Sequence, residues 1–280
     1  MSPDPTRRPP TLAASAMRIF DLSLGQMLWS RRSVFLALLV GGPVILAAGI
    51  RVASSMTPLG APEINGARLG GSALFGMMIW LLYIRFVVPV LGVFYGTALI
   101  ADEVEDKTIT YLFTRPIPRA AVILGKYVAY LVCTTLLVLP SVMLVYFLVA
   151  TLGGSIAQSF PALVEDLGML AIGLSAYGAL FALVGARLKR PLVIGLVFVF
   201  GWEPGVMLFP GYLKRLTLAY YLQALVPHSM PQDSAVSVLM QVFRDVPPAP
   251  VSLAVLAAIS AAGLWAAGRA VEHREYVLEQ

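Results

Sequence analysis

The sequence predicts an all-α integral membrane protein: six membrane-spanning helices, an amphipathic helix ahead of the first, and one short polar helix between the second and third. Three observations predict it. Of 280 residues, 59% are apolar and only 12% are charged, against roughly 25% charged in soluble domains. The mean hydropathy is +0.83. The charges sit in short blocks between long apolar runs. So few polar groups could not cover a water-soluble globule.

Length sets a second bound. Six spans of about 20 residues use on the order of 120 residues, and no remaining stretch is long enough for a soluble catalytic domain of ordinary size. The net charge is +5, without the clustered basic face and exposed aromatics that nucleic-acid binding needs. The single cysteine, Cys133, can form no intrachain disulfide. The first 32 residues hold five arginines and no early apolar core, so the first span is expected to act as an uncleaved signal anchor.

Taken in order, residues 1–10 hold four prolines and two arginines and read as a disordered tail ahead of a single membrane domain, 11–280. Between Thr11 and Trp29, Ile19, Phe20, Ser23, Leu24, Met27 and Leu28 share one helical face, opposite Arg18, Asp21, Gly25 and Gln26. That pattern predicts a helix lying in the membrane interface, with an ordinary helix packed on the bundle as the alternative. The spans are expected near 33–50, 76–101, 127–149, 167–186, 191–208 and 251–271. Pro43 and Pro140 suggest kinks. Residues 51–72 and 150–166 read as external loops, and 208–250 as a larger external insertion of aromatic, basic and proline-rich pieces. Trp29, Trp80 and Trp265 mark interfaces or packing contacts.

With six spans and both termini on one side, that side holds 14 of the 20 lysines and arginines. Only Arg51, Arg68, Arg85, Lys214, Arg215 and Arg244 fall outside it. The positive-inside rule then makes both termini cytoplasmic, in a plasma or inner membrane.

Enzyme signatures are missing. There is no G-x-x-x-x-G-K-[ST], no H-E-x-x-H and no C-x-x-C, so the sequence predicts no nucleotide loop, no metal site, no catalytic residue of its own and no cofactor. His228 and His273 fall on opposite sides of the membrane by this topology.

The most polar segment is 101–126. Its four acids, Asp102, Glu103, Glu105 and Asp106, precede a helical stretch, where carboxylates favour the positive end of the dipole. Glu103 and Lys107 are spaced i,i+4 in the better orientation. Val104, Thr108, Tyr111, Leu112 and Arg115 can share a face, and Pro116 and Pro118 stop the helix. A short amphipathic helix of this kind can dock into a partner; the alternative is a solvated loop helix.

The order acid–acid–x–acid, Thr, Tyr-Leu, Arg-Pro, Arg, then Gly125-Lys126 before a span resembles the cytoplasmic loop of ABC-2 type transporter permeases. The matching positions are Glu103, Glu105, Thr108, Leu112, Arg115, Pro116, Arg119 and Lys126. Lys189-Arg-Pro191, Trp202-Glu203, Pro210-Gly211 and Tyr220-Tyr221 are similar to a branch of the same family, and the layout of an N-terminal helix, six spans and a large insertion between spans five and six agrees. The resemblance implies that 103–119 carries a coupling helix seated in the cleft of a separate ATPase. It also implies two ATPase chains, a second permease copy or paralogue, and export of a lipid-like, drug-like or peptide cargo.

Glu203 lies 12 residues past Pro191, about 18 Å along a helix axis, which places it in the outer half of the bilayer. An ionisable group there marks a functional site by default. The alternative is that the span breaks at Pro204-Gly205 and Glu203 caps a re-entrant turn. Arg85 is a partner by depth. Arg85, Trp202 and Glu203 are the candidates for an outer path or gate. A secondary transporter or channel, uncoupled from ATP, is the competing class.

Overall fold

The computed structural model describes residues 12–28, 31–56, 63–64, 67–68, 70–105, 119–152, 156–207, 212–226 and 247–273. Among them the chain is helical apart from a short antiparallel ladder, Glu63–Ile64 (β1) with Ala67–Arg68 (β2). Helix α1 is Leu12–Leu28 and α2 is Arg31–Met56. Helix α3 runs unbroken over 71–105, but two stretches are π-helical, Ile79–Val87 and Gly92–Gly96. Helix α4 is Arg119–Val149 and α5 is Ile156–Arg187. Helix α6 spans 191–207 and has a π-helical turn at Phe198–Trp202. A 3-10 turn, Tyr212–Leu216, leads to the short α7, Leu218–Gln223, and α8 is Ala249–His273.

Among the described residues, five stretches are long and apolar enough to cross a membrane: Val34–Met56, Gly71–Asp102, Ala121–Val149, Ser159–Arg187 and Ala249–Val271. Helix α6 adds a shorter apolar stretch, Pro191–Val206. The chain is a multi-pass helical membrane protein.

Helix α5 is the hub, touching α3, α4, α6, α7 and α8. From Gly173 to Ala182 it is buried on almost every side, as expected of a central helix. Directions follow from side-chain register. The Tyr127 hydroxyl donates to the Ser175 carbonyl (2.8 Å), and the Tyr146 hydroxyl to the Ile156 carbonyl (2.8 Å), so α4 runs antiparallel to α5. Val40 faces Ser141 and Arg51 faces Thr151, so α2 runs with α4. Gly92 lies against Tyr177 and Gly96 against Phe181, so α3 runs with α5. Gly195 approaches Phe181 while Glu203 meets Tyr177, so α6 runs back against α5. Ser260 lies by Ser175 and Gly263 by Ala179, so α8 runs with α5 again.

Small residues make these approaches possible. Gly92 and Gly96, spaced G-x-x-x-G on α3, meet α5 so closely that a Cβ would fall 2.6 Å from Tyr177 Cβ and 2.9 Å from Phe181 Cβ respectively. In apolar surroundings helices associate through such close packing and through interhelical hydrogen bonds. Buried tyrosines supply the latter: Tyr127, Tyr130 and Tyr146 each bond a backbone carbonyl of α5.

Several expectations change. Helix α5 begins at Ile156, inside the loop expected over 150–166. Its polar first turns read as loop, yet they bury Leu163 and Asp166, and the Tyr146 hydroxyl holds the Ile156 carbonyl at their start. The apolar side of α1 packs on α4, with Ser15, Ile19 and Ser23 buried. Gly125 opens the groove: a Cβ there would lie 2.6 Å from the Ala16 carbonyl oxygen. Nor does α6 break at Pro204-Gly205; it continues to Met207. The π-turn ahead of it has already rerouted the backbone bonds, with the Glu203 N–H reaching back five residues to the Phe198 carbonyl, so the missing N–H of Pro204 ends nothing.

Candidate functional site around Glu203

Call the end of the bundle holding Arg187, Lys189 and Arg190 its basic end. Tyr177 is ten residues from Arg187, about 15 Å, and Glu203 is twelve from Pro191, about 18 Å. The two meet well inside the bundle, where a carboxylate without donors would be very costly.

The donors are present. Glu203 is only 3% exposed. The Tyr177 hydroxyl donates to Oε2 at 2.6 Å, and the backbone N–H of Leu218 donates to Oε1 at 3.2 Å. The Ala219 N–H also bonds the carboxylate. Leu218 and Ala219 open α7, so Glu203 satisfies N–H groups that have no partner within that helix. Thr217, the residue ahead of α7, does not do so; its hydroxyl donates to the Lys214 carbonyl (2.8 Å). The carboxylate thus pins the start of a segment that returns into the bundle after α6. A capping role was anticipated for a local turn, but the N–H groups belong to residues 15 and 16 positions further on.

Arg85 stands within electrostatic reach of Glu203. It sits on the first π-helical stretch of α3, its guanidinium 5.2 Å from the Trp80 ring centroid. A cation over an indole face gains about 0.5–2 kcal/mol, and π-turns recur at functional sites. Trp202 does not join the cluster. It is 43% exposed, next to Glu203 in sequence but turned to the outer surface of α6. There Phe200 and Phe86 also lie exposed, their rings 6.0 Å apart.

Sequence reasoning missed Tyr177. The available signal was a tyrosine inside a small-residue run, Ser175-Ala-Tyr-Gly-Ala, at a depth where a phenol must find a partner. The backbone N–H groups of Leu218 and Ala219 carry no side-chain signal at all.

At the basic end, Glu103 and Glu105 fall in the last turn of α3 and Arg119 opens α4. Thr108, Leu112, Arg115 and Pro116 lie outside the described residues, as do the side chains of Glu103, Glu105 and Arg119. The helix expected there lies outside them too. Just inside, the buried Lys126 donates its Nζ to the Leu99 carbonyl at 3.1 Å, tying the root of α4 to that of α3.

Long apolar helices around a central one, with an arginine and a carboxylate kept near each other inside, fit a multi-pass membrane protein of the transport class. The family model described as "ABC-2 family transporter protein" matches residues 12–266. The chain belongs to that family: it is a membrane subunit of the ABC-2 transporter family, whose permeases lack an ATPase domain and work with an ATPase partner. No curated protein matches it.

Proposed function

We propose that this permease exports a lipid-like, drug-like or peptide substrate, driven by two copies of a separate ATPase bound at the basic end. A second copy of the chain, or a paralogue, completes the path. The observation that carries the reading is the course of α3: one helix ends at Glu103 and Glu105 and, 18 residues before Glu103, carries Arg85 within electrostatic reach of Glu203. A movement imposed on 103–119 would travel along that helix to the far cluster.

In this reading, 103–119 is a cytoplasmic coupling helix, with Glu103, Glu105, Thr108, Leu112, Arg115, Pro116 and Arg119 docking it into the ATPase. The Lys126–Leu99 bond supports it by making the two stems of the segment move together. Arg85 and Glu203 form the outer gate, with Trp202 facing the path or the second copy. Residues 11–280 are one membrane domain of six spans. The short α6 is the fifth crossing, supported by the parallel course of α5 and α8, which requires a return between them. Helix α1 lies in the membrane interface alongside α4, and both termini are cytoplasmic, a reading supported by the basic asymmetry. Closure of the ATPases favours one of two exposures of the path through differential contact with the coupling helix.

Reversing two charges tests the coupling. Loss of a desolvated charge partner costs about 2–5 kcal/mol, or ~30-fold and more in affinity. Glu103→Lys with Glu105→Lys is expected to leave the permease folded in the membrane while the ATPase co-purifies poorly. Charge reversal in the ATPase cleft restores part of the association. Full association of the double variant would show that 103–119 is only a solvated loop.

A further inference from the structure

We propose that α2 is a hinged arm that bends at Gly41-Gly42-Pro43, and that Tyr83 and Ser141 are the latch holding it straight against the bundle. The hinge follows from three residues. Pro43 has no N–H for the Leu39 carbonyl, and its ring crowds the carbonyls a turn earlier. Gly41 and Gly42 stand directly before it. Neither is small because something presses on it: a Cβ on either would meet nothing within 4 Å. Elsewhere in this bundle Gly92 and Gly96 on α3 and Gly178 and Gly185 on α5 admit a neighbour. What Gly41 and Gly42 contribute is backbone freedom, at the place where a proline already weakens the helix.

The latch is a directed chain of hydrogen bonds. Ser141 Oγ donates to the Val40 carbonyl at 2.8 Å, and Tyr83 and Ser141 hydroxyls lie 2.7 Å apart. The one proton of Ser141 is committed to Val40, so Tyr83 is the donor to Ser141. A helical serine or threonine ordinarily bonds the carbonyl one turn back on its own helix, as Thr134 does to Tyr130 and Ser260 to Leu256. Ser141 instead crosses to α2 and takes a carbonyl on the weakened turn. Tyr83 is fully buried and comes from the π-helical stretch of α3 that carries Arg85 two residues on. Three helices meet at this node, and α2 is the outlying one: it packs chiefly on α4 and exposes Ile45, Leu46, Val52 and Met56 beyond the hinge. With the latch closed, α2 follows α4; with it open, α2 bends at the hinge, and the Arg51–Thr151 hydrogen bond (2.7 Å) limits how far the arm departs from α4.

Spin labels test it on the full chain in lipid nanodiscs, in a Cys133→Ala background. One label replaces Val52, 53% exposed on the arm, and the other Val164, 54% exposed on α5. Val52 is nine residues past Pro43, about 14 Å, so a 20° change of bend moves it by about 5 Å. Ser141→Ala removes both bonds and is expected to shift the distance by about that much and to broaden its distribution roughly twofold. Tyr83→Phe keeps the ring and the Ser141–Val40 bond, and gives a smaller change of the same sign. Adding Pro43→Ala removes the hinge and narrows either distribution again. A Ser141→Ala distribution identical to the parent overturns the latch, and one that stays broad with Pro43→Ala overturns the hinge. Should Ser141→Ala not assemble, Tyr83→Phe with and without Pro43→Ala makes the same test; a Tyr83→Phe distribution identical to the parent removes Tyr83 from the latch and overturns the proposal.

Discussion

Two buried charges, Glu203 and Lys126, sit at different depths in the bundle, Lys126 nearer the basic end, and both are held by backbone. Lys126 lies seven residues from the start of α4 and gives its ammonium to a carbonyl near the C-terminal end of α3. Its long stem can carry the charge toward the basic end. Glu203 has no such exit. It is met by two N–H groups of a helix start, a phenol and a nearby guanidinium. The difference shows what depth demands: near an end a long stem and a backbone carbonyl serve a charge, whereas deep in the bundle a whole segment, residues 212–223, is folded back to supply donors. The carboxylate and that segment therefore depend on each other.

The sharpest way to break the comparison is Glu203→Leu. It leaves two N–H groups and a phenol without their acceptor, and with about 1–3 kcal/mol for each buried donor left unsatisfied, a loss of about 3–5 kcal/mol is expected. Unfolding free energy measured in bicelles should fall by that order, and α7 should become protease-accessible. Glu203→Gln, which can still accept from N–H groups, should lose clearly less. Equal losses would mean that Arg85 and the charge matter more than the cap.

Tyr177→Phe removes one donor of several and should cost about 1.5–3 kcal/mol, the range for a hydrogen bond to a charged group, with α7 still protected. The smallest effect belongs to the charge nearer the basic end. Lys126→Met keeps the stem and loses one bond to a carbonyl that its own helix can also serve, so about 1 kcal/mol is expected. A loss at Lys126 as large as that at Glu203 would erase the distinction between the two depths.

Much of the architecture was legible in the sequence because a bilayer imposes long apolar runs on anything that crosses it. The five long helices fall where those runs lie. Composition could not tell polar helix from loop: the first turns of α5 contain Gln158, Ser159, Pro161, Glu165 and Asp166, and their helical state depends on Tyr146 of α4. Likewise, the amphipathic face of α1 was visible, but not that a small residue on α4, Gly125, would receive it. Around Glu203 the need for donors followed from depth alone, and Arg85 followed from counting residues back along α3. That the donors would include backbone 15 residues away depended on the return of the chain after α6, which no local pattern encodes. The π-turns were also invisible, since their residues differ in no systematic way from those of the α-helix around them.

The central claim is that ATPase action at 103–119 reaches the Glu203 cluster. It is tested most directly by two spin labels, one replacing Gln223 on α7 and one replacing Val164 on α5, in the assembled transporter in nanodiscs with Cys133→Ala. The distance between them is read without nucleotide and with ATP trapped by vanadate. Trapping is expected to shift the distance in the parent, and Glu103→Lys with Glu105→Lys to abolish the shift while the nucleotide-free distance stays the same. An unmoved distance in the parent, or an undiminished shift in the double variant, would contradict the claim.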